Sequence, residues 1–340
     1  MTSRSGSRCT RGRQGSRVFI EAGRLIVESK DSEELVNVPK TTVARITCFG
    51  AVTVSAGTRS WALTNDVDVA YLSRRGKYQG QQLSAASGSR VERLRAQVAM
   101  SDDETASLRI AREMIETKIS HQECLLHRLI RREKSGAVAE VMTRLRGLRA
   151  MIPEAATRDE LLGVEGAAAA AYFSALGQLV PESLRFDRRS KRPPEDMVNS
   201  ALSYGYAILV SECVAALIAA GLDPNIGLLH KDRSRRPSLA LDLMEEFRPM
   251  IVDQVVMVAA RRGALKPEHA AERPGEPGVH LNKAGKSALV GAYEKRMLSV
   301  TGGAIPGFKG SIRRHLYKQA GLLAHSIIDP DAAWFGTSWR

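Results

Sequence analysis

The sequence predicts an α+β protein, with a small β-rich N-terminal domain followed by a larger all-α C-terminal domain. Three observations lead there. Between Arg17 and Leu83, short runs rich in β-branched residues alternate with turn residues. The stretch "SAASGS", Ser84–Ser89, then interrupts the pattern with small residues. From Val91 onward the apolar positions recur at helical spacing almost throughout. The 340 residues also exceed what one core usually organises, so two domains are expected.

Residues 1–16, "MTSRSGSRCTRGRQGS", are small, polar and basic, and are expected to form a disordered leader. In 17–83, "RVFIEAGRLIVES" reads as two strands joined at Ala22-Gly23, the spacing of a hairpin. "ELVNVP", "VARITCF", "VDVAYLS" and "KYQGQQL" supply four more strands, and "SAGTRSWALTND" one short helix. A linker is placed at 84–97, the helical domain at 98–328 and a tail at 329–340. In the helical part, Leu108, Ala111, Ile115, Ile119, Leu126 and Leu129 share a face at 3.6 spacing.

Net charge is +13. Five of those charges are Arg4, Arg8, Arg11, Arg13 and Arg17, which leaves a basic body able to attract phosphate backbones or anionic lipid. Cys9, Cys48, Cys124 and Cys213 are far apart and form no CxxC, which argues against a disulfide framework or cysteine-rich zinc site and suits a reducing cytoplasm. The arginines of the leader precede no apolar segment, so it is not a secretory signal. The longest apolar stretch, Tyr206–Leu222, carries Glu212 and reads as a buried helix, so no membrane contact is expected.

No P-loop or Gly-x-Gly-x-x-Gly occurs. In "HQECLLH" the histidines are His121 and His127, a spacing that sends them to different sides of a helix rather than to one ion. Glu165 stands at the head of the alanine-rich run "GVEGAAAAAYF". It is read either as a helix-dipole partner or as a carboxylate facing an enclosed space. His230 closes "GLLH" as a cap, a core residue or a ligand. Lys231, Arg233, Arg235 and Arg236 follow in a basic loop that suits solvent or phosphate.

Asp242 and Glu245 come next, three residues apart within apolar neighbours Leu241, Leu243 and Met244. Two such carboxylates repel unless a cation or proton joins them. Pro249 cannot donate to the carbonyl of Glu245, so a kink or a late helix start is expected beside the acids. Glu165, His230 and Glu245, with Asp242 nearby, offer oxygen ligands and one imidazole, a set suited to Mg²⁺ or Mn²⁺.

In order and spacing, "GVEGAAAAAYF", "RRSKRPPEDMVNSALSYGYAIL", "GLDPNIGLLHKDRSRRPSLALDLMEEFRP" and "HLNKAGKSALVGAYEKRM" resemble the CRISPR-associated adaptation integrases, the endonuclease family Cas-one. The resemblance covers about Arg17 to Leu323 and implies a metal-dependent DNA endonuclease and integrase that inserts short foreign DNA into a CRISPR array. It implies Glu165, His230 and Glu245 as metal ligands and Asp242 as an accessory catalytic acid. Some relatives carry Asp where this chain has Glu245, a change that keeps charge and alters reach. The resemblance further implies double-stranded and branched DNA as partner. It also implies a homodimer through the β-rich domain and a heterohexamer with the small protein Cas-two. Arg233, Arg235, Arg236 and Arg248 are candidate DNA-binding residues, with salt bridges to nearby acids as the competing role. A non-catalytic helical DNA-binding or assembly protein is the alternative.

Overall fold

Ala22 and Gly23 take φ values of 46° and 76°, two left-handed residues in succession. They turn β1 (Arg17–Glu21) back onto β2 (Arg24–Glu28) as an antiparallel hairpin with Phe19 opposite Ile26. The computed structural model describes residues 15–43, 45–65, 67–72, 78–82, 88–130, 136–230, 236–273, 275–329 and 331–339. Most of the basic leader, parts of the expected linker, and Arg233 and Arg235 of the basic loop lie outside the described residues. The chain divides into two units, between Arg95 and Ala96.

In the first unit β3 (Glu34–Pro39) continues the hairpin, β4 (Arg45–Phe49) follows, and β5 (Thr53–Val54) pairs in parallel with β1. The resulting four-stranded sheet has the order β3-β2-β1-β5. Helix α1 (Ala56–Thr64) starts at Ser55, whose hydroxyl accepts from Thr58 N. It leads to β6 (Asp68–Leu72), parallel to β4, and β7 (Tyr78–Gln82), antiparallel to β6. Val18, Leu25, Ile46, Cys48, Val54, Ala62 and Val69 form the core of this unit. The six strands and one helix expected from the sequence are present, and β5 is an addition too short to leave a periodic signal.

Helix α2 (Gly88–Asp102) crosses the division. The second unit is built around α3 (Glu104–Ile130), whose Leu108, Ala111, Ile115, Ile119, Leu126 and Leu129 are all buried. Next come α4 (Gly136–Ala150), α5 (Arg158–Gln178) and α6 (Met197–Ala219). Among the described residues α6 is the one helix long and apolar enough to cross a membrane, yet most of it is buried inside this unit. Glu212 within it is held by Arg313 at 2.8 Å.

Helix α7 (Ser238–Phe247) runs into a π-helical segment, Arg248–Asp253, and then into α8 (Gln254–Arg261). Pro249 has no N–H to donate, and the wider π turn absorbs that loss without ending the helix. The expected kink is thus a change of helical pitch just beyond Glu245.

Two hairpins break the all-helical expectation for this unit: β8 (Ala270–Arg273) with β9 (Glu276–Leu281), and, after α9 (Lys283–Leu298), β10 (Val300–Ile305) with β11 (Phe308–Ser311). Their glycine- and proline-rich composition reads as loop in a sequence. Each hairpin needs one tight turn, and Gly275 and Gly307 supply it at positive φ. Helix α10 (Ile312–Ile328), capped by Ser311, packs on α6.

Candidate active site

Glu165 lies on α5, well past its first turn. The helix begins at Arg158 because Thr157 accepts from Glu160 N, and the Glu160 carboxylate accepts from Ala156 N at 2.7 Å. Asp159 and Glu160 therefore serve the helix dipole, and Glu165 does not. The sequence reading placed it at the helix head because the alanine run masks the earlier cap. Its side chain is 23% exposed and is bound by the ammonium of Lys118, from α3.

His230 also departs from its expected place. It does not close an apolar helix, since α6 stops at Ala219 and Gly221 follows at φ 79°. His230 belongs to the loop between α6 and α7, and Asp242 organises that loop. The Asp242 carboxylate is fully buried. Its Oδ2 accepts from Leu228 N at 2.7 Å and Leu229 N at 2.9 Å, and its Oδ1 accepts from His230 N at 3.1 Å. Oδ1 also lies 2.6 Å from His230 Nδ1. Gly227 permits this close wrap, because a Cβ there would fall 2.4 Å from His230 O and 2.7 Å from Ser238 Cβ. With Nδ1 engaged, the imidazole presents Nε2 outward, and the side chain is 20% exposed.

Glu245, one turn along α7 from Asp242, answers to different partners. Its Oε2 lies 2.6 Å from Lys118 Nζ and 3.1 Å from Arg248 Nε. Burial pushes this carboxyl up, but Arg248 and Lys118 outweigh it and hold the group at about 2. The same attraction raises Lys118 and Arg248 against the burial that lowers both. Asp242 and Glu245 thus do not share one cation, as their spacing suggested. Each carboxylate has its own compensation, backbone N–H groups for one and cations for the other.

The structure brings Glu165 and Glu245 to a single buried ammonium and leaves His230 on a neighbouring loop. Among the described residues, no three His, Cys, Asp or Glu side chains close around an ion as they stand. Lys118 occupies the position between the two carboxylates. A divalent cation fits this donor set on two grounds. Glu245 Oε2 is buried and both its contacts are cationic, Lys118 Nζ at 2.6 Å and Arg248 Nε at 3.1 Å. Glu165 and Glu245, from separate helices, also already converge on one cationic position.

Around this pair stands further positive charge. The Arg248 guanidinium lies 4.6 Å over the Tyr206 ring, and Arg189 lies 5.5 Å from it. Lys191 reaches the surface, yet partial desolvation and the charges of Arg248, Arg189 and Lys118 hold its ammonium below the ordinary lysine range. Arg248 pairs with Glu245, and Arg236 is half-buried at the end of the basic loop. The Asp253 carboxylate accepts from Tyr206 on α6 and from Tyr172 on α5 at 2.9 Å, tying both helices to the π segment that carries Arg248. Sequence reasoning missed Lys118, Lys191, Asp253 and both tyrosines. Lys118 left a signal: it stands beside Ile115 and Ile119 on the buried face of α3, where a lysine needs a counter-charge.

The family described as CRISPR associated protein Cas1 matches residues 12–295. A Thermus thermophilus protein named CRISPR-associated endonuclease Cas1 1 is 35% identical over 316 residues, covering 93% of this chain and 94% of that protein. The fold is similar to that of a chain in a partial Cas6-RT-Cas1–Cas2 complex, with TM-score 0.80, 24% identity and 97% of each chain covered. It is also similar to a casposase bound to integration product, with TM-score 0.74, 23% identity, and 95% and 96% covered.

Proposed function

The chain belongs to the CRISPR associated protein Cas1 family, and from that premise we propose that it is a divalent-metal-dependent DNA endonuclease and integrase of CRISPR adaptation. It inserts short foreign DNA into the array by phosphodiester cleavage and strand transfer. One observation carries the reading: Glu165 and Glu245, from separate helices, converge on one cationic position. Beside them a histidine is held through Nδ1 with its Nε2 free among the described residues.

In this reading Glu165, Glu245 and His230 Nε2 hold Mg²⁺ or Mn²⁺, which supplies polarisation of the scissile phosphate and stabilisation of charge on its oxygens. Asp242 acts through His230, fixing the ring nitrogen that faces the site. Lys118 holds the two carboxylates together at the position the cation would take. Lys191, Arg248, Arg236 and the loop arginines Arg233 and Arg235 draw the DNA backbone toward the carboxylates by charge. The attacking group is a 3′-hydroxyl of incoming DNA in integration, or water in cleavage. The proton it loses passes to solvent at the open side, where Glu165 and His230 are partly exposed.

The proposal extends to assembly: a homodimer through the β-rich unit and a heterohexamer with Cas2, acting on double-stranded and branched DNA in the cytoplasm. It keeps 17–83 and 98–328 as functional domains, with the tail from 329 packed onto the second of them. One relative of similar fold is named as a Cas1–Cas2 complex and another as bound to integration product, which supports this reading. The alternative, a non-catalytic DNA-binding or assembly protein, has one observation in its favour. Lys118 already compensates both carboxylates, as a structural ion pair would.

A strand-transfer assay on branched DNA with Mn²⁺, with and without the Cas2 partner, separates the two. Activity lost in Glu165→Ala and His230→Ala supports the integrase. Activity retained in both purified variants removes the site assignment.

A further inference from the structure

Residues 331–339 lie beyond the 12–295 matched by the family and contribute nothing to the carboxylate cluster. They are nonetheless fastened to two of the three helices that build it, α3 and α7. Glu246, the neighbour of Glu245, is fully buried, and its Oε2 accepts from Thr337 N at 2.8 Å and Thr337 Oγ1 at 3.0 Å. Gln319 of α10 donates to the same carboxylate at 3.2 Å and to Phe335 O at 3.0 Å. His121, one turn beyond Lys118 on α3, sets its ring between two carbonyl oxygens. Nδ1 lies 2.7 Å from Glu246 O on α7, and Nε2 lies 2.8 Å from Thr337 O in the segment.

The packing is as close as the hydrogen bonding. Gly336 passes Thr117, the neighbour of Lys118, so closely that a Cβ at 336 would fall 1.8 Å from Thr117 Oγ1. Trp339 stands edge-on to His121 at 5.8 Å with the Arg128 guanidinium 4.7 Å over its ring, and Trp334 is buried. Ser338 N donates to Ala304 O of β10 at 2.8 Å.

We propose that segment Ala332–Trp339 is a positioning strap that joins α3 to α7 on the flank beside Lys118 and Glu245, and so sets the spacing of the charged groups in the active site. Its anchors are sequence neighbours of the site on both helices, Thr117 beside Lys118 and Glu246 beside Glu245. A shift of either helix that opens the carboxylate cluster must therefore break buried hydrogen bonds to the strap. An unsatisfied buried donor or carboxylate makes such a shift costly. The strap's residues act through the backbone of α7 and the register of α3. This inference rests on the reading of Glu165 and Glu245 as site carboxylates.

The test uses full-length protein. Gly336→Val drives a side chain into Thr117 and lifts the strap, while Thr337→Val removes only the hydroxyl on Glu246 and tolerates folding better. Hydrogen exchange on α7, Mn²⁺ binding and strand transfer are measured together. Lifting the strap is expected to deprotect α7 amides along with strap amides. It should weaken Mn²⁺ binding about 10–100-fold, as loss of an orienting contact does, with kcat reduced more than the KM for DNA. Gly336→Ala paired with Thr117→Gly, which clears the collision, should recover α7 protection and activity relative to Gly336→Ala alone. The inference is overturned if strap amides exchange freely while α7 protection, Mn²⁺ affinity and strand transfer stay at wild-type values. A wild-type protein without Mn²⁺ binding or strand transfer would instead speak against the proposed function. In that case the α7 exchange still decides whether the strap holds the helix.

Discussion

Asp242 binds His230 twice, accepting from its backbone N–H at 3.1 Å and meeting ring Nδ1 at 2.6 Å. One buried carboxylate thus fixes both the path of the loop and the direction of the imidazole. Asp242→Ala would strand the N–H groups of Leu228, Leu229 and His230, each costing about 1–3 kcal/mol if left unsatisfied. His230→Ala removes a partly exposed ring and strands none of them. The expected result is loss of strand transfer in both variants and a marked drop in melting temperature in Asp242→Ala only. Equal melting temperatures would show that Asp242 does not hold the loop.

Lys118 makes the second prediction. Its ammonium is buried with Glu165 and Glu245, and removing one member of such a cluster leaves charge uncompensated, at a cost of about 3–5 kcal/mol. Lys118→Met should therefore unfold more readily in EDTA than the wild type, and Mn²⁺ should restore much of that loss by taking the vacated position. Thermal melts with EDTA and with saturating Mn²⁺ check this. A variant indifferent to Mn²⁺ would mean that the two carboxylates do not form an ion site.

Local pattern made the fold readable. The β-branched runs from Arg17 to Leu83 and the 3.6 stripe of α3 are properties of neighbouring residues, and the elements follow them. The hairpins β8-β9 and β10-β11 were illegible because paired strands of low β-propensity owe their state to their surroundings. Glu165, His230 and Glu245 could be named from residue type and neighbourhood. Their partners could not, since Lys118 reaches Glu165 across 47 positions and His121 reaches Thr337 across 216. The spacing of Asp242 and Glu245 misled for a related reason. It fixes their separation along α7 but not which loop or helix meets each carboxylate.

Glu212 shows how a charge is held within the most apolar helix. Arg313 donates to it through Nη2 at 2.8 Å and through Nε at 3.2 Å, and also reaches Glu294 at 2.9 Å. Burial nevertheless raises the Glu212 carboxyl above its ordinary range. Glu212→Ala takes the buried carboxylate from Arg313 and should cost about 3–5 kcal/mol, whereas replacing Glu212 and Arg313 together by leucine should cost much less. Urea unfolding of the two variants decides it, and a double variant as unstable as the single one would contradict the argument.

Asp253 gives the pH dependence. Burial pushes its carboxyl up to about 6, against the hydroxyls of Tyr206 and Tyr172 and the charge of Arg248, which pull it down. An acid raised on folding binds its proton more tightly in the native than in the unfolded state. Its contribution is fully present below the ordinary value of 3.8 and is lost as pH rises through about 6. Asp253→Asn cannot ionise, yet it keeps an acceptor for one tyrosine and offers an amide donor to the other oxygen. Relative to the wild type, the variant should therefore gain on the order of 2–3 kcal/mol between pH 4 and pH 7. Denaturant unfolding of both proteins across that window measures the difference between them, which cancels the titration of every other group. Curves that stay parallel would place the Asp253 proton outside the folding equilibrium. The tyrosine contacts would then serve only to anchor α5 and α6 to the π segment that carries Arg248.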